Sequence, residues 1–280
     1  MLNLNGLIIE KDQASISTEN RGLAFGDSVF ETVRVYNKPL FWESHYFRLM
    51  SSMRILRMEI PMNFTPEFLE NQIIDLLKAM NTSSKSYRVK LTVFRSVGGF
   101  YTPESNEVKY MITAKPLMDD NYIINKNEYE VELFKDYLIS PSLLSTIKTN
   151  NKVLNVVGSI FAKENNYQNC LILNTNKKIV EALNGNVFLV KNNIVKTPPL
   201  SDGCLKGILR EQVIKIIYNS EHYMLEEASI SPFELQKADE IFITNVIQGI
   251  RFVTKYRKKT YLNKLSNELT NKLNAKIGVN

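Results

Sequence analysis

The stretch SVFETVRVYNKPLFWESHYFRLM, residues 28–50, changes its periodicity halfway along. Its first part is rich in β-branched and aromatic residues and breaks at Asn37-Lys38-Pro39, which predicts a hairpin. From Glu43 onward Tyr46, Leu49, Met50, Met53 and Leu56 recur at three- and four-residue steps, which predicts a helix to about Arg57. Paired strands followed at once by an amphipathic helix make a sheet with one face covered.

Working outward, LNGLIIE near the start reads as strand. Thr65-Pro66 is a helix-start signal, followed by the apolar face Phe68, Leu69, Ile73, Leu76, Leu77 and Met80. SYRVKLTVFRS and EVKYMITAK read as strands joined by the glycine-bearing loop VGGFYTPESN. Residues 1–113 are therefore expected to form a small α/β domain, with 114–122 as interdomain loop and 123–280 as a larger α/β domain. The second part begins with a strand near 129–134 and a helix from about Val153 to Lys163. NCLILN, KKIVEA and NVFLVKN follow as strands, then a helix near Gly207, the strand ADEIFITN and a last helix from about Tyr261. Strands and helices mix without strict βαβ alternation, so the fold class is α+β, built of two α/β domains.

The chain has 280 residues, a formal charge of +6 and an ordinary apolar fraction. The one dense basic cluster is Lys255, Arg257, Lys258 and Lys259, which reads as a solvated turn; no nucleic-acid partner is expected. Cys170 and Cys204 form no CxxC pattern, so neither a disulfide framework nor a metal site is indicated. The first residues lack a signal-peptide core and no run reaches membrane-span length; a cytoplasmic protein without membrane contact is expected.

The chain lacks GxSxG, HExxH, GxxxxGK[ST] and GxGxxG, and its two histidines are His45, read as structural, and His222. Lysine chemistry remains. A lysine amine forms a Schiff base with a carbonyl such as that of pyridoxal phosphate. That cofactor asks for a lysine, an acid near its ring nitrogen, an anion site for its phosphate and apolar walls. PPLSDGCLKGILR leads into a helix whose first N–H groups, at Ile208 and Leu209, suit an anion. Arg48 offers a fixed charge or is an ordinary surface arginine; Glu181, ending KKIVEA, offers the acid or is a hairpin-end carboxylate. In STIKTNNKVLNVVGSIFAKE, residues 145–164, two lysines compete. At about 100° per residue Lys152, Asn155, Ser159 and Lys163 share a polar stripe opposite Val153, Val156, Val157, Ile160 and Phe161. Lys152 is therefore expected to face solvent, whereas Lys148 precedes the helix in an extended segment.

Together RGLAFGDSVFETVRVYNKPLFWESHYFRL, IKTNNKVLNVV, VEALNGNVFLVKNNIVKTPPLSDGCLKGILR and ADEIFITN resemble the class IV aminotransferase family, over nearly the whole chain. The resemblance implies the fold-type IV pyridoxal-phosphate architecture, like that of D-amino-acid aminotransferase, with the cofactor between two domains. It implies a homodimer with the active site near the subunit interface and a small amino substrate. The family pattern Ile-Lys-x-x-Asn falls on Ile147, Lys148 and Asn151, which makes Lys148 the aldimine lysine and the base that takes the substrate α-proton. Carried over, Arg48, Ile208, Leu209 and, nearby, Asn245 serve the phosphate, Leu205 packs on the ring and Glu181 pairs with its nitrogen. Phe30, Glu31 and Lys90 fall at the substrate.

Within the family the reading leans to 4-amino-4-deoxychorismate lyase, which releases pyruvate and 4-aminobenzoate. Lys90, the loop RSVGGFYTP and TNVIQGIRFV resemble the lyase. Glu31 stands where the lyase has threonine, as in the aminotransferases, and Phe100 stands where the lyase has an arginine. The alternatives are a branched-chain or D-amino-acid aminotransferase and a non-catalytic relative that keeps the fold.

Overall fold

The computed structural model describes residues 1–278. The chain divides into two units, Met1–Asp120 with Ile147–Asn151, and Asn121–Thr146 with Lys152–Asn280.

The first unit comprises β1 (Leu2–Leu4), β2 (Leu7–Ile9), α1 (Arg21–Ala24), β3 (Ser28–Tyr36), β4 (Lys38–Pro39), α2 (Trp42–Ile55), α3 (Pro66–Ala79), β5 (Ser86–Arg95) and β6 (Val108–Pro116). Its six strands form one antiparallel sheet in the order β2-β1-β6-β5-β3-β4. LNGLIIE, read as a strand, is a hairpin, because Asn5 and Gly6 both take positive φ. The predicted second hairpin turns at Asn37, also left-handed. Thr65 caps α3 by accepting the Phe68 N–H. Alternation along β3 sends Val29, Val33 and Val35 into a core with Leu49, Met53, Leu69, Ile73 and Leu76 from the two helices. Residues 114–116, expected in the interdomain loop, complete β6, and 117–120 belong to this unit.

The second unit comprises β7 (Glu130–Ile139), α4 (Val153–Glu164), β8 (Asn169–Asn174), β9 (Ile179–Ala182), β10 (Asn186–Lys191), β11 (Ile194–Thr197), α5 (Ile208–Tyr218), β12 (Met224–Glu227), β13 (Glu240–Asn245), β14 (Gly249–Phe252), β15 (Lys255–Tyr256), β16 (Lys259–Thr260) and α6 (Lys264–Ile277). They make two five-stranded mixed sheets, β12-β11-β10-β13-β14 and β16-β15-β7-β8-β9. Leu171 and Val131 from one sheet and Val187 and Ile243 from the other share one apolar core.

The polar-stripe reading of α4 is overturned. Leu154, Val157, Gly158, Phe161 and Ala162 face Phe134 and Cys170, while Val153, Val156 and Ile160 are exposed. Gly158 sets this orientation, since a Cβ there would meet Leu183 Cδ2 at 2.4 Å. Asn155, expected in solvent, turns in and donates to Leu183 O. Lys152 is half-buried at the helix N-cap position, not on a wet face.

Candidate active site

In the first unit, residues 148–150 lie along the start of β3. Val29 bridges Thr149, the Phe30 N–H donates to Lys148 O at 2.9 Å and the Asn150 N–H donates to Ser28 O at 3.2 Å. This places Lys148 beside Phe30, with Nζ 4.6 Å from the ring centroid. Lys90, from the neighbouring β5, brings its own Nζ to 4.4 Å from the same ring. Each ammonium gains from the ring's negative face. Burial, then the charge of Arg88, holds the Lys90 amine below the usual lysine range.

Glu31 occupies an inward position of β3 among valines, against α2. Its carboxylate accepts Arg48 Nε at 2.8 Å and Nη2 at 2.6 Å, a bidentate pair, and meets His45 Nδ1 at 2.6 Å. His45 and Arg48 stand three residues apart on α2 and so share a face. Burial pushes the Glu31 pKa up, but the charge of Arg48, the His45 interaction and both sets of hydrogen bonds outweigh it and bring it to about 2. Burial pushes the His45 pKa down, against the pull of Glu31, and the charges of Arg48 and Lys148 add to that push. A neutral His45 bonded to an ionised carboxylate carries its proton on Nδ1. Its Nε2 is then an acceptor, buried and without a hydrogen-bond partner among the described residues. Glu31, expected to touch substrate, is instead fully buried and bonded through both oxygens to α2. His45, read as structural, is fully buried and held by Glu31.

In the second unit Glu181, on β9, accepts the Leu205 N–H at 2.9 Å through Oε2. Two residues on, Gly207 is the N-cap residue of α5, so Ile208 and Leu209 are its first two residues. Their N–H groups have no partner within the helix. Asn186 closes the other side, donating Nδ2 to Leu205 O at 2.8 Å. A Cβ on Gly207 would lie 1.9 Å from Asn186 Oδ1, so glycine is obligatory for this approach. Directly across the sheet from Asn186 stands Thr244, whose buried Oγ1 has no hydrogen-bond partner among the described residues. A helix N-terminus, an orphaned buried hydroxyl and a cradle that admits no side chain fit an anionic group such as a phosphate. Sequence reasoning missed Asn186 and Thr244. Asn245 turns elsewhere: its Oδ1 accepts the Ile247 and Gln248 N–H groups and its Nδ2 donates to Gln248, bracing the turn after β13. Burial pushes the Cys170 and Cys204 thiols up to about 11 and about 12, which makes both poor nucleophiles. Among the described residues no group of three or more His, Cys, Asp or Glu is arranged to hold a metal ion, and no helix is long and apolar enough to cross a membrane.

Comparison with known proteins agrees with this chemistry. A putative branched-chain-amino-acid aminotransferase of Methanocaldococcus jannaschii is 29% identical over 280 residues, covering 98% of this chain and 94% of that one. D-alanine aminotransferase of Staphylococcus haemolyticus is 27% identical, covering 90% and 87%. Among solved structures, the branched-chain aminotransferase of Thermoproteus uzoniensis with norvaline superposes with a TM-score of 0.90 at 22% identity, covering 99% and 95%. A putative 4-amino-4-deoxychorismate lyase of Legionella pneumophila gives 0.83 at 24% identity, covering 95% and 96%. The family model for amino-transferase class IV matches residues 28–256, from the first residue of β3 to the last of β15, and the chain belongs to that family.

Proposed function

We propose that the protein is a pyridoxal-phosphate-dependent aminotransferase acting on a small amino acid. The bound cofactor would supply an electron sink for the carbanion formed at the substrate α-carbon. Lys148 would take the α-proton and return it: its backbone is laid along the start of β3, its amine rests on the Phe30 ring, and it fills the lysine position of the Ile-Lys-x-x-Asn pattern. Glu181, oriented by the Leu205 N–H, would hold the cofactor at its ring nitrogen and keep that nitrogen protonated, and Leu205 would supply an apolar wall for the ring. The Ile208 and Leu209 N–H groups, with Thr244 Oγ1, would hold the phosphate. Arg48 adds a fixed charge whose direction is set by Glu31. Phe30 and Lys90 face the substrate. A homodimer and a cytoplasmic setting belong to the same reading.

The observation that carries the choice of aminotransferase is Glu31. It stands where the lyase pattern has threonine, and here it is ionised, buried and bonded to both His45 and Arg48. A threonine could neither span those two partners nor balance the arginine. The relatives named for aminotransferase activity are 29% and 27% identical to this chain, against 24% for the lyase structure, which favours aminotransferase over lyase. The lyase stays the second reading, favoured by Lys90 and its amine beside Phe30. The test is a panel of L- and D-amino acids with 2-oxoglutarate or pyruvate as acceptor. Amino exchange is expected. Pyruvate released from aminodeoxychorismate without an acceptor, and no exchange with any amino acid, would replace this reading by the second.

A further inference from the structure

Asp27, between Gly26 and the start of β3, ties together three segments of the first unit. Its Oδ2 accepts Arg21 Nε at 3.0 Å and Arg95 Nε at 2.8 Å. Its backbone N–H donates to Arg21 O, and its carbonyl accepts the Arg95 N–H, both at 3.3 Å. Both arginines are buried. Arg21 goes on to donate to the carbonyls of Gly98, Gly99, Phe100 and Tyr101, and Arg95 to those of Leu56 and Arg57. One carboxylate thus anchors the glycine loop and the turn after α2 to the first residue before β3.

The next three residues, Ser28, Val29 and Phe30, are those on which 148–150 are laid. Beyond them Gly26 meets Asn151, whose Oδ1 would lie 2.3 Å from a Cβ there. Lys148 therefore has its backbone fixed by a strand start that is itself fixed by Asp27. We propose that Asp27 is a positioning residue for Lys148, acting through the Arg21 and Arg95 clamp and the first three residues of β3. This rests on the reading of Lys148 as the reactive amine. The clamp borders a cavity of about 320 Å³, lined also by Phe25 and Tyr101, so a weakened clamp can take up water without emptying a core.

Asp27→Asn keeps the shape and removes the charge shared by two guanidiniums. Amide exchange at Phe30 and Asn150 is expected to accelerate about tenfold or more, with Val89 and Leu91 in the centre of the sheet unchanged. Acylation of the Lys148 amine, followed by mass spectrometry, is expected to change rate relative to Lys152. The kcat is expected to fall about 10- to 100-fold with KM within about threefold, since misplacing a reacting group costs rate rather than binding. If Asp27→Asn does not fold, Arg21→Lys keeps the charge but cannot reach the carboxylate and four carbonyls together, and the same changes, smaller, are expected. Unchanged exchange and labelling at 148–150, or equal acceleration at Val89 and Leu91, would overturn the proposal. A wild type inactive on every amino acid, with the exchange and labelling shifts present, would defeat the functional reading and leave the positioning role standing.

Discussion

In the first unit the candidate residues are mostly charged side chains packed close together: Arg48 on a buried Glu31, a neutral His45 on the same carboxylate, and the half-buried Lys148 and Lys90 on one ring. In the second they are mostly dipoles: the first amides of α5, the Thr244 hydroxyl and the Asn186 amide, with Glu181 the one charge among them. Buried charges are costly to unpair, whereas dipoles at a helix end are already oriented and lose little when one is removed. Substitutions in the first unit should therefore disturb fold and rate together, and those in the second should act on cofactor affinity with the fold intact.

Removing the reactive amine tests the comparison at its extreme. Lys148→Ala is expected to lower kcat by about a thousandfold or more. Lys152→Ala, four residues on at the N-cap of α4, is expected to stay within about threefold of wild type, a difference of less than ~1 kcal/mol in barrier. Steady-state rates together with the visible absorbance of the cofactor-loaded protein check both. The reverse result would move the reactive amine to the head of α4.

Glu31→Ala removes the buried carboxylate that Arg48 and His45 share and is expected to cost about 3–5 kcal/mol of stability, measured by denaturant unfolding. The same pair predicts an acid dependence. The folded pKa of Glu31 is lowered from 4.5 to about 2. Its contribution to stability is therefore complete above the unfolded value and is lost as pH falls between those two values. An acid titration of Glu31→Ala should lack that portion of the loss; equal slopes for both proteins would show the pair to be unimportant to the fold.

Gly207→Ala brings the comparison to the second unit. The new Cβ would displace Asn186, break its bond to Leu205 O and narrow the approach to the α5 N-terminus. Cofactor affinity, read by equilibrium dialysis, is expected to weaken about tenfold, or ~1.4 kcal/mol. Unfolding of the cofactor-free protein should shift much less. A large loss of stability without loss of affinity would make the glycine a packing residue only.

How far all this was legible in the sequence depends on the kind of signal. Periodicity placed α2 and α3, because their apolar faces are wide and Thr65 caps the second. It failed on α4, where seven apolar residues and a glycine in twelve leave the buried face ambiguous and the deciding feature is the contact of Gly158 with Leu183 and Phe134. Motif spacing singled out Lys148, Glu181 and the α5 N-terminus as a chemical set. It could not show that Glu31 faces α2 rather than a substrate, because β3 presents alternate residues to opposite faces and the motif has no face. Asn186 and Thr244 were invisible for another reason: they meet across β10 and β13, more than fifty residues apart, and no local pattern marks either.

Thr244→Val carries the smallest expected effect and separates the two units most cleanly. The hydroxyl is buried and has no hydrogen-bond partner among the described residues. An unsatisfied buried hydroxyl costs free energy, so replacing it with a methyl group should leave the cofactor-free protein as stable as wild type or up to about 1 kcal/mol more so. If the hydroxyl serves a phosphate oxygen, the same change should weaken cofactor binding by about fivefold, near the ~1 kcal/mol of one hydrogen bond. Opposite signs in the two measurements are the signature of a group kept for a ligand. A loss of stability in the cofactor-free protein would mean instead that Thr244 serves the fold, and the anion cradle would reduce to Gly207 and the amides of α5.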